Sequence, residues 1–188
     1  TRRRINITRL EQAGEIENGA MSFKGEGGIG NLLNKDLAKD AVSVSNANME
    51  MSTIEGKTSA KIIFKEGGIL KIKTKDGDGY SYENIKEGGR FNLNKNGELE
   101  AADFISNGGT YVLGDQKLDV PNEARVIYKN GEAKVIAKEG DVIQTSKRLG
   151  KGQYEASSRI KVLKDGDVNI AGNKVYGKNF EIDNRLTI

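Results

Sequence analysis

Two consecutive stretches, NIKEGGRFNLNKNGELEAADF (residues 84–104) and FISNGGTYVLGDQKLDVPNEA (residues 104–124), decide the fold because they repeat one pattern. In the first, Phe91 and Leu93 follow a pair of glycines at alternate positions, and in the second Tyr111 and Leu113 do the same. Alternation of this kind is typical of β-strands, whose successive side chains point to opposite faces. The pattern therefore predicts strands separated by glycine turns.

The repeat extends on both sides of these stretches. Gly67 and Gly88 precede Gly108 and Gly131 follows it, so that units of about 20 to 23 residues recur, most clearly over residues 61–143. A period of this length without helices predicts an all-β fold, and specifically a β-solenoid in which each unit is one coil.

The same spacing also fits an antiparallel β-meander or sandwich. The dipeptides Asn130-Gly131 and Asp165-Gly166 each separate two strand-like runs. Dipeptides of this composition are preferred in the two-residue turns of β-hairpins. Hairpins would make neighbouring strands antiparallel, so the meander is kept as the alternative to the solenoid.

Only the N-terminal part of the chain has a helical pattern. In NLLNKDLAKDA (residues 31–41) the leucines fall on one side of a helix. We expect residues 1–41 to form a cap of strand, turn and short helix, and residues 42–188 to form the repetitive strand region. Because the chain begins at Thr1 and not at Met, we expect one continuous domain excised from a larger protein.

The alternation also predicts which side chains form the core. We expect the following residues to be buried on one apolar face: Phe91, Leu93, Leu99, Phe104 and Ile105.

Composition excludes several chemistries. The 188 residues include neither His nor Cys, which rules out Ser-His-Asp and Cys-His catalysis, imidazole bases and ordinary zinc sites. A net charge of +3 with the two signs interspersed argues against a nucleic-acid partner. No apolar run reaches the length of about 18 residues that predicts a membrane span.

One turn has the residue types of a calcium site. DGDGYSYENIKE (residues 76–87) partly resembles the EF-hand loop, with Asp76 and Asp78 at its first and third positions, but Ser81 replaces the required glycine. We therefore expect at most a looser oxygen-ligand site, formed by Asp76, Asp78 and Glu83. Ordinary solvation of a polar turn is the alternative, and calcium is the only cofactor that the sequence suggests.

Tyrosines supply the candidate ligand-binding residues. Tyr80 and Tyr82 lie two positions apart and so share one face of a strand. With Tyr111 they could line a shallow groove on which sugars stack. Packing at the rim of the core is the alternative role for the same rings.

Glycine-rich, one-sided, weakly repeated strands resemble the β-helical regions of microbial surface and secreted proteins. The resemblance implies a non-enzymatic structural or binding module, of spacer or adhesion type, in a larger extracellular or cell-envelope protein. Its partner would be a protein or glycan surface, with end-to-end association or further domains also open. The alternatives are a carbohydrate-active β-helix enzyme using carboxylates, such as Asp165 and Asp167, and a calcium-stabilised β module.

Overall fold

The computed structural model describes residues 2–9, 15–17, 20–24, 33, 36–37, 41–55, 57–73, 78–171 and 174–182. They belong to two compact units, Thr1–Ala101 and Ala102–Ile188. Strands and turns make up nearly all of the described residues, which confirms the all-β prediction. The helix predicted over residues 31–41 lies largely outside the described residues, which include only Leu33, Asp36, Leu37 and Ala41 of that range.

The first unit is built on two long neighbouring strands, β4 and β5. The strand β1 pairs with β4, while β6 and β7 pair with the two ends of β5. The bounds are β1 Arg2–Arg9, β2 Glu15–Glu17, β3 Ala20–Lys24, β4 Val42–Ile54, β5 Lys57–Lys73, β6 Gly79–Tyr82 and β7 Arg90–Leu93.

The second unit contains most of β8, within which the boundary between the units falls, and all strands after it. The strand β9 pairs with β10 along one part of its length and with β11 along another, and β10 pairs with β14. The bounds are β8 Leu99–Leu113, β9 Gln116–Lys129, β10 Glu132–Ala137, β11 Val142–Gly150, β12 Gln153–Tyr154, β13 Ser158–Val162, β14 Gly166–Ala171, β15 Lys174–Tyr176 and β16 Phe180–Ile182.

Strand direction distinguishes the two predicted architectures. A solenoid stacks successive coils in parallel, whereas each pair with a described register is antiparallel except β1 with β3. The antiparallel pairing within each unit fits the meander that the sequence left as the alternative. The solenoid is not confirmed.

Two of the repeated glycines, Gly67 and Gly108, lie at corners of long strands. Between β4 and β5 the register shifts, so that residues 65–68 lie opposite Asn46 alone. Both Asn46 and Gly67 have positive φ, 52° and 75°. Extra residues of this kind bend a strand and increase its local twist. Gly108, with φ 86°, lies beside Asn122 at the corresponding bend of β8 and β9.

Gly131 has a different role from Gly67 and Gly108. With Asn130 it forms the two-residue turn between β9 and β10, and both residues have positive φ, 53° and 78°. This is the hairpin predicted from the Asn-Gly dipeptide. Gly131 is thus a hairpin-turn glycine, although the sequence period places it in one series with Gly67 and Gly108.

Most of the predicted core is buried. Phe91 and Leu93 are fully buried and Phe104 is nearly so, while Leu99 is only partly covered. The prediction that Ile105 is buried was wrong, because this residue is 42% exposed. Adjacent residues of a strand point to opposite faces, so Ile105 cannot share the inward face with Phe104.

No helix among the described residues has the length and apolar character needed to cross a membrane.

Candidate functional site

The tyrosines predicted to bind a ligand occupy different environments. Tyr82 is 1% exposed and its ring packs on Phe91, with the two centroids 5.0 Å apart. Tyr80 shares that face of β6 but is only partly covered, opposite Ile72 of β5. The ring of Tyr82 is thus part of the first unit's core. Sugar binding at this face stays a prediction, and of the three predicted tyrosines Tyr80 is the one that is partly exposed.

Tyr111 lies in the core of the second unit, where it stabilises a corner. Its ring packs on Phe104 at 4.8 Å between centroids, and its hydroxyl is 2.9 Å from Ser106 Oγ. The same Oγ accepts a hydrogen bond of 2.8 Å from the backbone N–H of Gly108. The three groups therefore link the buried ring to the backbone at the bend of β8.

We expect Tyr111→Phe to lower the free energy of unfolding by about 1 kcal/mol at neutral pH, because the buried hydroxyl of Ser106 loses its hydrogen bond with Tyr111. Burial of the ring raises the pKa of Tyr111 above its ordinary value of 10.0, and the hydrogen bond with Ser106 only partly offsets it. The unfolded chain thus ionises first, so this contribution is complete below pH 10 and falls as the pH rises through the folded pKa. Urea denaturation at pH 7 and at pH 10.5 to 11 measures both effects.

The phenylalanine variant should lose less stability between these two pH values than the parent chain does. Tyr128→Phe is the matched control. It removes a second tyrosine hydroxyl whose pKa is raised by burial, but it leaves the hydrogen bonds of Ser106 with Tyr111 and Gly108 in place. Identical pH profiles for the Tyr111→Phe variant and the parent would contradict the assignment.

The predicted calcium ligands are only partly described. Asp76 lies outside the described residues, while Asp78 is partly covered and Glu83 is exposed after β6. Within the ranges that the structure describes, no three acidic side chains are grouped closely enough to hold a metal ion. Calcium binding at Asp76, Asp78 and Glu83 stays a prediction.

The Asp165 and Asp167 carboxylates, which the enzyme alternative invoked, have local partners. Asp165 Oδ1 accepts a hydrogen bond of 2.7 Å from the backbone N–H of Glu139. Asp167 Oδ2 lies 3.8 Å from Lys134 Nζ on the neighbouring strand. Asp165 thus stabilises a turn and Asp167 forms a cross-strand ion pair, both of which are structural roles.

Opposite charges alternate on the outer face of the second unit. Arg125 on β9 donates two hydrogen bonds to Asp103 on β8, at 2.8 and 3.0 Å, and this raises the pKa of the guanidinium further. Lys138 Nζ lies 3.6 Å from Glu123 Oε2. Exposed pairs of this kind contribute little to stability, and in each of them the two opposite charges neutralise one another locally.

The last two strands of the second unit lie at edges of its sheet, as the short strand β12 also does. Among the described strands, β15 pairs only with β14, and β16 pairs only with β13. The chain between β15 and β16 is held down by Asn179, whose carbonyl accepts hydrogen bonds from the N–H groups of Leu163 and Lys164 at 2.7 and 3.3 Å. We call β15, β16 and the segment joining them the terminal layer.

Burial of the inward apolar row decreases in the terminal layer. Ile170 and Val162, in the strands just beneath it, are fully buried. In the terminal layer, Val175 opposite Ile170 and Phe180 opposite Val162 are only partly covered, and Ile182 is 51% exposed. The apolar row therefore continues into the terminal layer without being covered there by described residues.

Glycines allow the terminal layer to approach the sheet closely. Gly177 has φ 146°, and a Cβ there would lie 3.0 Å from both the Asp167 carbonyl oxygen and the Phe180 ring. A Cβ on Gly166 would overlap the amide of Asn179. At Gly177 the Asp167 oxygen belongs to backbone and would have to shift for a side chain, whereas the Asn179 amide near Gly166 is the end of a flexible side chain that can move away.

The strand pairing shows which way the backbone groups of each edge residue point. In an antiparallel sheet, the N–H and C=O of successive residues point alternately to the neighbouring strand on one side and to that on the other. Their directions can be assigned from the β9–β10 turn at Asn130 through the registers of β10, β14 and β15. This count directs the N–H and C=O of Val175 away from β14. The N–H of Val162 donates to the Asp141 carbonyl, on the side of β13 away from β16. The backbone N–H and C=O groups of Phe180 and Ile182 therefore also point outward, away from β13. Among the residues that the structure describes, the terminal layer thus presents a sheet edge whose outward backbone groups have no strand partner and whose apolar side chains are partly or half exposed.

Sequence reasoning missed the terminal layer as a site. The alternation of Val175, Phe180 and Ile182 was visible as strand pattern, but the absence of a covering strand depends on long-range pairing. No protein-family model, curated protein or solved structure matches this chain.

Proposed function

We propose that this chain is a non-enzymatic structural module of a larger extracellular or cell-envelope protein, and that it assembles through the edge of its terminal layer. The observation that carries the proposal is the incompletely buried inward row on β15 and β16, each of which has a partner on one side only among the described strands. Unpaired edges of this kind add strands from other chains readily. The spacer or adhesion role inferred from the sequence would then depend on sheet extension.

A second copy of the chain is the partner that the edge fits best. Two β15 strands related by a two-fold axis pair antiparallel, with Val175 opposite Val175 of the second copy. Because the outward backbone groups belong to Val175, that central pair would exchange both N–H···O bonds.

The flanking side chains are also compatible with this pairing. Lys174 is exposed and Tyr176 is 50% exposed. In the antiparallel register each Lys174 faces Tyr176 of the second copy, which avoids repulsion between lysines and allows a cation–π contact. The edge is therefore complementary to itself.

Cysteine cross-linking tests this register directly, because the chain contains no cysteine. Residues that form a hydrogen-bonded pair have Cα atoms about 5.5 Å apart, within the range that a disulfide spans. Val175→Cys should therefore form a disulfide-linked dimer on mild oxidation at protein concentrations where Glu139→Cys, on an exposed turn, stays monomeric.

Sedimentation velocity over a range of concentrations provides the second measurement. Val175→Pro removes an outward N–H that β14 does not use, so it should abolish the dimer and leave the fold intact. Val175→Ala keeps that N–H and should dimerise more weakly than the parent chain. A parent chain that stays monomeric at every concentration, or a proline variant that dimerises like the parent, would overturn the proposal.

A further inference from the structure

Asparagine followed by glycine is chemically labile in proteins, and the described residues contain this dipeptide at Asn96, Asn107 and Asn130. The glycine nitrogen, once its proton passes to hydroxide, attacks Cγ of the asparagine side chain. A C–N bond forms, the bond to the amide nitrogen breaks and ammonia leaves, which closes a succinimide ring. Water opens the ring at either carbonyl to give aspartate or isoaspartate, so water is the only co-reactant.

Two of the three glycine nitrogens are engaged in hydrogen bonds. The N–H of Gly97 donates to the Asn94 carbonyl at 2.9 Å, and Gly97 is itself buried. The N–H of Gly108 donates to Ser106 Oγ, which is also hydrogen-bonded to the buried hydroxyl of Tyr111. Attack at Asn96 or Asn107 requires one of these bonds to break first.

The third glycine nitrogen is accessible. Asn130 and Gly131 are both exposed at the tip of the β9–β10 hairpin, and the N–H of Gly131 donates no hydrogen bond to a described residue. A Cβ at Gly131 would meet nothing within 4 Å, so no neighbouring group crowds this side of the turn. We infer that the Asn130–Gly131 turn is a site of spontaneous deamidation, and that the folded structure protects Asn96 and Asn107.

The modification would affect the hairpin. Both products add a negative charge next to Lys129, and isoaspartate also inserts one more atom into the main chain. The two-residue turn, which sets Lys129 opposite Glu132, requires a main chain of normal length. Conversion to isoaspartate should therefore loosen the pairing of β9 with β10 at this end.

Peptide mapping by mass spectrometry, with chromatographic separation of the aspartate and isoaspartate products, tests the inference. The folded chain is incubated at mildly alkaline pH and sampled over time. Opening a hydrogen bond costs about 1 kcal/mol, which corresponds to about a fivefold change in rate. We therefore expect Asn130 to react at least about fivefold faster than Asn96 and Asn107.

Two comparisons separate structural protection from local sequence. In concentrated urea the three sites should react at similar rates, because the hydrogen bonds are lost. Ser106→Ala removes the acceptor for the Gly108 nitrogen and should accelerate reaction at Asn107 while leaving Asn130 unchanged. Equal rates at the three sites of the folded chain, or faster reaction at Asn96 or Asn107, would overturn the inference.

Discussion

Phe91→Ala is expected to lower the free energy of unfolding of the first unit by about 3 to 5 kcal/mol. Phe91 is fully buried, and its ring lies between Phe64 and Tyr82 at centroid distances of 5.1 and 5.0 Å. Truncation removes the apolar area of the ring, leaves a cavity and breaks two aromatic contacts. Urea denaturation followed by far-UV circular dichroism measures the loss.

Asn92→Ala is the matched control, since Asn92 is the exposed neighbour on the same strand and should change stability by less than about 0.5 kcal/mol. Should Phe91→Ala fail to fold, Phe91→Leu retains most of the volume and should lose a measurable but smaller amount. An alanine variant within about 1 kcal/mol of the parent would show that the ring does not hold this part of the sheet.

Strands were predictable because their signal is local. Alternation identified Phe91, Leu93 and Phe104 as inward-facing, and the Asn130-Gly131 dipeptide identified a hairpin that the structure contains. The error at Ile105 came from assigning two adjacent residues to one face. That error could have been avoided from the sequence alone, because successive side chains of a strand alternate.

Long-range pairing was not predictable. Asp165-Gly166 resembles Asn130-Gly131 in composition and predicted a second hairpin, but β13 and β14 on either side of it do not pair with each other. The Asp165 carboxylate accepts its hydrogen bond from Glu139, a residue that no local rule selects. A hairpin turn and a corner thus use similar dipeptides, and only the partners of the flanking strands distinguish them.

The environment of the candidate ligand-binding tyrosines could not be predicted from local sequence either. Tyr82 and Tyr111 were singled out for their chemistry, but whether a strand residue faces the core depends on register, and both rings are buried. The glycine period was visible in the sequence, but it combines the corner glycines Gly67 and Gly108 with the hairpin glycine Gly131, and it fits parallel coils and antiparallel meanders equally well. At the corners, close backbone approach requires glycine.

Gly68→Ala provides the sharpest test of that requirement and should cost about 2 to 3 kcal/mol. A Cβ built on Gly68 lies 2.8 Å from Phe64 Cδ2, 2.9 Å from the Asn46 carbonyl oxygen and 3.1 Å from the Lys65 carbonyl oxygen. Two of these atoms belong to backbone and cannot move without distorting the corner between β4 and β5. Chemical denaturation monitored by circular dichroism should therefore show a large loss for a single added methyl group.

Gly67→Ala separates crowding from backbone strain at the same corner. Gly67 has φ +75°, but a Cβ there would approach only Asn46 Nδ2, at 3.9 Å. Its cost should be about 1 kcal/mol, that of a non-glycine residue in a left-handed conformation, and smaller than the cost at Gly68. If Gly67→Ala proved the more damaging change, positive φ and not close packing would determine where the glycines of this repeat must lie.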